Sequence, residues 1–323
     1  GQTVQLVDTA TPGVTVCVTG AAGSVTNLGA ITAEAGRIGI AAGLITNSGN
    51  INASSVVSEG GRIFLRASQN LTTTASSKIA ADGATKGGSV VLYSDGAAYI
   101  DGDVSARGAP GLGGFVETSG KKTLDVVKAP DVGTGGEWLI DPYDLTVVAT
   151  GTSAVSNSGN VITSTGGGST IEAGTIVTQL NQGNSVTLTT GAGGAANGGN
   201  ITVNAAINKT TGSASALTLN ADNNIIINAD ITSTGTYGLS LNLNSNYQGA
   251  TTGDHTVQVT GATITPNTGI INVNEGIAGN GNGKIALNSG ATIDLNIGST
   301  LNAASLNISA GGTIRTNFGA GVH

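Results

Sequence analysis

The chain has 323 residues, 53 of them glycine, with 3% aromatic and 10% charged side chains and a formal net charge of −7. So few rings exclude a conventional globular enzyme core, where aromatic side chains supply much of the buried area, and a mean hydropathy of +0.16 excludes disorder, which needs few aliphatics and much charge. Five prolines exclude collagen, and an acidic chain without a basic run lacks the electrostatic footprint of a nucleic-acid partner.

Cys17 is alone, so it forms no intrachain disulfide, and between Val14 and Val18 it reads as a small buried hydrophobe. No apolar run approaches the roughly 18 residues of a membrane span, so none is predicted. The chain begins in mid-pattern at Gly1, without Met or a charged-then-apolar leader, and reads as a segment of something longer.

From there a phrase recurs: a glycine or glycine pair, one variable residue, then a short aliphatic strand. It runs Gly36-Arg37-Ile38-Gly39-Ile40, Gly61-Arg62-Ile63-Phe64-Leu65, Gly88-Ser89-Val90-Val91-Leu92, Gly114-Phe115-Val116 and Gly136-Glu137-Trp138-Leu139-Ile140. A second phrase lies between these copies: Gly29-Ala30-Ile31-Thr32-Ala33, Gly49-Asn50-Ile51-Asn52-Ala53, Lys78-Ile79-Ala80-Ala81 and Gly102-Asp103-Val104-Ser105-Ala106. A period of 20–50 residues indicates a solenoid or propeller, and a propeller blade needs about 40–45 residues. The pattern therefore predicts an all-β parallel β-helix of roughly 14 to 15 coils at about 22 residues each. Aliphatic ladders point inward, and glycine supplies positive φ at the corners.

Composition changes near residue 145. Residues 1–150 hold 5 Asn and 22 charged side chains, whereas residues 151–323 hold 25 Asn and 9. The later strands alternate strictly, as in Val186-Thr187-Leu188 and Leu239-Ser240-Leu241-Asn242-Leu243, the signature of a strand buried on one side. Asn tolerates left-handed turns and stacks in ladders. We expect two regions, 1–145 with charged, Gly-paired coils and 146–323 with an Asn/Thr/Gly-rich repeat shaft, wound as one solenoid without a helix.

The most specific residues are Gly113-Gly114-Phe115-Val116-Glu117-Thr118-Ser119-Gly120 followed by Glu137-Trp138-Leu139-Ile140-Asp141-Pro142. They resemble a signature of bacterial filamentous-haemagglutinin-type adhesins, and within that group the high-molecular-weight adhesins of two-partner secretion. Gly61-Arg62-Ile63-Phe64-Leu65-Arg66-Ala67-Ser68-Gln69 resembles the last coils of the family's haemagglutination-activity domain. Ile201-Thr202-Val203-Asn204 and Leu217-Thr218-Leu219-Asn220-Ala221 resemble its shaft. The resemblance implies a right-handed, single-stranded parallel β-helix that passes an outer-membrane two-partner-secretion transporter and folds at the bacterial outer surface. It also implies attachment to cells or matrix through an unnamed receptor. The family's Asn-Pro-Asn secretion stretch is absent from these residues. An open terminal coil would further permit self-association.

β-helices also carry polysaccharide lyases and hydrolases, and glycoside hydrolysis needs paired carboxylates. Asp101 and Asp103 read as alternating on one strand face beside Asp95, and with Asp82 they are candidate calcium ligands. The competing reading, which we prefer, is a solvated corner where Asp turns the chain. A lyase would need cations beside such acids, and the second half offers Lys209, Lys284 and Arg315. His255 and His323 stand apart, too few for a triad or a zinc site. Trp138 with Tyr143 could stack on a sugar, although a lone Trp among aliphatics reads as core. Tyr93, Tyr99, Tyr237 and Tyr247 are scattered. No cofactor is predicted. Of the five Asn-Xaa-Ser/Thr triplets, at Asn52, Asn70, Asn200, Asn208 and Asn307, chance would produce several. The expected protein is thus a non-catalytic structural and adhesive segment, with a polysaccharide-active enzyme or a bare scaffold as the alternatives.

Overall fold

The Gly-opened phrases become successive parallel rungs. The computed structural model describes residues 23–150, 155–158, 161–164, 168–190, 199–249, 255–276, 282–296, 299–309 and 311–317. These divide into two units. Unit 1 runs to Pro142 and includes Ser153–Ser169; unit 2 is Tyr143–Thr152 with the chain from Thr170 onward. Both are parallel β-helices. Cys17 and His323 lie outside the described residues.

Unit 1 contains β1 (Ser24–Asn27), β2 (Ala30–Thr32), β3 (Arg37–Asn47), β4 (Asn50–Asn52), β5 (Arg62–Thr73) and β6 (Lys78–Ala80), then β7 (Ser89–Ser94), β8 (Ala97–Ile100), β9 (Asp103–Ser105), β10 (Phe115–Gly120), β11 (Thr123–Val126) and β12 (Glu137–Ile140). Each coil has three faces. Face A stacks the first half of β3 on that of β5, then β7, β10 and β12. Face B stacks β1, the second halves of β3 and β5, β8 and β11. Face C stacks β2, β4, β6 and β9. In register, Arg37 is followed by Arg62, Ser89, Phe115 and Glu137, so the glycine spacing read from sequence is the coil spacing. An antiparallel hairpin, Val155–Ser158 with Val161–Ser164, also belongs to this unit.

The core is a set of ladders. On face A, Ile63, Val90, Val116 and Trp138 are register partners without solvent exposure, and burying each aliphatic stabilises by about 1.5–3 kcal/mol. Ile51 and Ile79 do the same on face C, closed by Ala53, Ala81 and Ala106 at the corner.

The glycine pairs at that corner have a different cause from the one expected. Gly61 and Gly88 are not among the residues with positive φ. A Cβ on Gly61 would lie 2.1 Å from the Gly36 carbonyl oxygen of the coil before, and one on Gly60 would lie 2.0 Å from the Ala81 oxygen of the coil after. The pair Gly87-Gly88 is pinched likewise, by the Ala106 oxygen after and the Gly61 oxygen before. Gly61 and Gly88 also donate to Ala53 and Ala81 across the loop, each at 2.8 Å. Close approach of backbones, not left-handed torsion, demands glycine here.

Unit 2 repeats the three-faced plan. One face stacks Ser185–Thr189, Ser215–Asn220, Leu239–Ser245, Ile270–Glu275 and Thr300–Asn302. A second stacks Leu145–Val148, Ile201–Val203, Ile225–Ile227, Val257–Thr260, Lys284–Asn288 and Ser305–Ile308. A third stacks Ile207–Lys209, Ile231–Ser233, Thr263–Thr265, Thr292–Asn296 and Thr313–Asn317. Val186, Leu217, Leu241, Ile271 and Leu301 follow one another in register, which makes these coils longer than the roughly 22 residues expected. Fewer coils follow, five rungs on this face among the described residues.

A helix, α1 (Ala173–Asn181), contradicts the expectation of none. Its buried residues Ala173, Ile176, Gln179 and Leu180 fall at helical spacing, and Gly183, at φ +80, ends it by donating to the Leu180 carbonyl at 3.0 Å. The helix packs on Ile207–Lys209, an edge strand of the third face, and covers backbone that would otherwise be an open edge.

Candidate functional site

The acids weighed against a solvated corner as metal ligands or catalytic carboxylates are committed to separate tasks. Asp82 accepts the Arg107 backbone N–H at 2.7 Å and its guanidinium at 2.8 Å. Asp131 approaches the same guanidinium at 3.7 Å from the next coil. Asp103 pairs with Lys128, whose ammonium hydrogen bond holds this carboxyl below the usual aspartate range. Asp95 accepts from the Tyr93 hydroxyl at 2.9 Å. Asp101 accepts from Gly102 N at 2.7 Å; it stands in a turn before β9 and does not share a strand face with Asp103. Gly102, at φ +88, breaks the alternation between them. Among the described residues no group of three or more His, Cys, Asp and Glu is placed to hold a metal ion.

Trp138 is completely buried and donates from Nε1 to Thr118 Oγ1 at 3.1 Å. It is a rung of the face A ladder, so sugar stacking on it is ruled out. Tyr143, half-buried, belongs to unit 2. Lys209 is also fully buried, its ammonium donating to the carbonyls of Leu180 and Thr211. It serves the C-terminal end of α1, where a cation meets the helix dipole favourably, and not a catalytic groove. Burial pushes it below the ordinary lysine value. His255, expected to stand alone, is buried with Nδ1 3.7 Å from Glu275 Oε1. Burial pushes neighbouring Asp222 up, against the pull of His255.

A different group of residues forms the surface most suited to binding. On face A of unit 1, alternate side chains point outward. They include Arg37, Arg62, Phe64, Arg66, Tyr93 and Phe115, gathered from β3, β5, β7 and β10. Three of the chain's five arginines and three of its nine aromatic residues thus share one sheet face. Arg37 lies directly opposite Arg62 in register, a like-charge placement that destabilises a sheet pair. The Arg37 guanidinium sits over the Phe64 ring, 5.1 Å from its centroid. Arg66 covers Tyr93 at 5.2 Å, and Lys121 approaches the same ring at 5.8 Å. Burial, followed by the hydrogen bond to Asp95, pushes the Tyr93 phenol up to about 12.

Lys121 is paired with Asp141 at 2.5 Å. Among the described residues, no carboxylate comes within ion-pair distance of Arg37, Arg62 or Arg66. A guanidinium stacked on a ring keeps its N–H edge available for bidentate bonds to an oxyanion. The first, third and fifth residues after each corner glycine are the outward ones. Aligning the five Gly-opened phrases on that glycine would have shown these columns in the sequence.

The fold and this face define a β-helical solenoid with a basic, aromatic sheet surface. Compared with protein-family models and with curated proteins, the chain finds no match. Among the described residues no helix is long and apolar enough to cross a membrane.

Proposed function

We propose that this chain is a non-catalytic structural and adhesive segment of a secreted bacterial surface adhesin, of the filamentous-haemagglutinin type that its motifs resemble. The observation that carries the reading is the division of labour among its charges. The acids that an enzyme would use are tied to neighbouring coils or turns, while three arginines and three rings share one sheet face. Stacked coils hold that face rigid without a cofactor, because each coil's backbone bonds to the next. Export through a two-partner-secretion transporter and display at the bacterial surface belong to the same proposal.

Beads coated with the 323-residue chain should adhere to epithelial cells, bacteria or matrix proteins well above albumin-coated beads. Absence of adhesion to all three would leave a bare scaffold as the better reading. Release of unsaturated or reducing ends from uronate polymers would instead establish the polysaccharide-active enzyme.

A further inference from the structure

We propose that the outward side of face A in unit 1 is a binding site for an acidic polysaccharide. Arg37, Arg62 and Arg66 would bind its carboxylate or sulfate groups, and the half-buried rings of Phe64 and Phe115 would lie against its sugar rings. This deepens the adhesive reading by naming a ligand class, and it rests on that reading only for its biological setting.

Four observations converge on it. First, the chain carries a net charge of −7, yet it sets Arg37 and Arg62 in direct register with no described carboxylate to relieve them. Placing like charges together breaks a local rule of sheet stability, and such breaches concentrate where a ligand relieves them. Arg107, Lys121 and Lys128 each have an acidic partner on a neighbouring coil. Lys78, Lys86 and Lys122, like the face A arginines, have none within ion-pair distance among the described residues, but of these cations only Arg37 and Arg62 are set in direct register with each other.

Second, Arg37 and Arg66 are stacked on Phe64 and Tyr93. The rings fix the guanidinium planes, so less side-chain freedom is lost when an oxyanion binds. Third, screening confines the field. At physiological ionic strength a charge is felt over about 8 Å, so a ligand at Arg37 and Arg62 is shielded from the net negative charge of the rest of the chain.

Fourth, the pattern of charge selects the polymer. Arg62 and Arg66 are four residues apart on one strand, about 13 Å at the usual rise. Beyond the arginines, the next coils put Glu117 and Glu137 on the same face. Polyphosphate, which has no hydroxyl along its chain, offers those carboxylates no hydrogen-bond donor. An acidic polysaccharide does, since the hydroxyls beside its acid groups donate to carboxylates.

The test uses the full chain with three immobilised polymers: alginate, a neutral β-glucan and polyphosphate. The expected result is salt-sensitive binding to alginate, none to the glucan and at least tenfold weaker binding to polyphosphate. Arg62→Ala and Arg66→Ala should each weaken alginate binding about tenfold. Arg62→Lys should recover only part of the loss, because lysine keeps the charge but not the fork. Phe64→Leu should weaken binding severalfold at unchanged net charge, which separates ring contact from simple ion exchange. Arg62 and Arg66 are exposed, so these variants should stay folded. The unfolding midpoint followed by Trp138 fluorescence should rise slightly for Arg62→Ala, which relieves the like-charge pair, and fall slightly for Arg66→Ala. No alginate binding, equal binding to polyphosphate or to glucan, or arginine variants that bind as wild type would each overturn the proposal. Such a failure would leave the bead-adhesion result unaffected, so the two readings fail separately.

Discussion

Unit 1 and unit 2 wind the same three-faced coil but fasten neighbouring coils with different chemistry. In unit 1 the outer fastenings are ionic, as in the Asp82–Arg107–Asp131 series, and the corners are glycine pairs. In unit 2 they are amides. Asn274 donates to Asn244 at 2.5 Å and Asn244 to Asn220 at 2.6 Å. On the outer side, Asn302 donates to Asn272 and Asn272 to Asn242, at 2.8 and 2.9 Å. A neutral ladder repeats without accumulating charge, since each amide both donates and accepts, whereas an ionic series needs alternating signs. Unit 1 therefore keeps charges that can be left unpaired on face A, and unit 2, with few charges, does not.

The largest expected effect breaks the corner of unit 1 alone. Gly61→Ala puts a methyl 2.1 Å from the Gly36 carbonyl oxygen, and a backbone atom cannot swing aside as a side chain can. We expect a loss of about 3 kcal/mol or more, read as a lower denaturant midpoint for Trp138 fluorescence. Amide exchange in unit 2 should change little. A midpoint within experimental error of wild type would refute the close-approach account of the glycine pairs.

The second test addresses the feature peculiar to unit 2. Lys209→Ala removes the donor to Leu180 and Thr211 and should cost about 2 kcal/mol, seen as faster exchange across residues 173–183. The sign of the pH effect is also fixed. The folded chain holds this proton less tightly than the unfolded one. Wild-type unit 2 therefore gains stability as pH rises toward the ordinary lysine value of 10.5. The Lys209→Ala variant should lose that rise, and a variant that retains it would show that another group is responsible.

The ladders, the coil spacing of unit 1 and the Asn stacks were legible in the sequence, because an inward aliphatic every second residue and a glycine at each corner are local signals. Helix α1 was not read. Its Ile176-Val177-Thr178 run has β propensity, and the Ala173, Ile176, Leu180 stripe is short enough to be mistaken for strand residues. Gly183 after Leu180 was the stop signal available. The binding face was missed for another reason. Arg37, Phe64 and Tyr93 belong to three different coils, and only an alignment of the Gly-opened phrases on their glycines, which sets the register, brings them together. Trp138 reads as core from its aliphatic neighbours and is a ladder rung, because face A buries every second residue.

The smallest effects compare the two fastenings directly. Asn244→Ala removes the middle of a half-buried ladder, leaving Asn220 without its donor and Asn274 without its acceptor. That should cost unit 2 about 1–2 kcal/mol, at any salt concentration. Arg107→Ala removes the centre of the Asp82–Arg107–Asp131 series, but its side chain is 58% exposed, so the Coulomb gain is mostly screened. We expect less than about 1 kcal/mol in unit 1, shrinking further in molar salt as the screening length contracts to about 3 Å. The informative quantity is the difference between the two salt responses. Unfolding of each variant and the wild type, at low and at molar salt, should give a salt-independent Asn244 effect and a vanishing Arg107 effect. If both effects faded with salt, or neither did, the distinction between amide and ionic fastening would have no energetic content. The two units would then differ in composition alone.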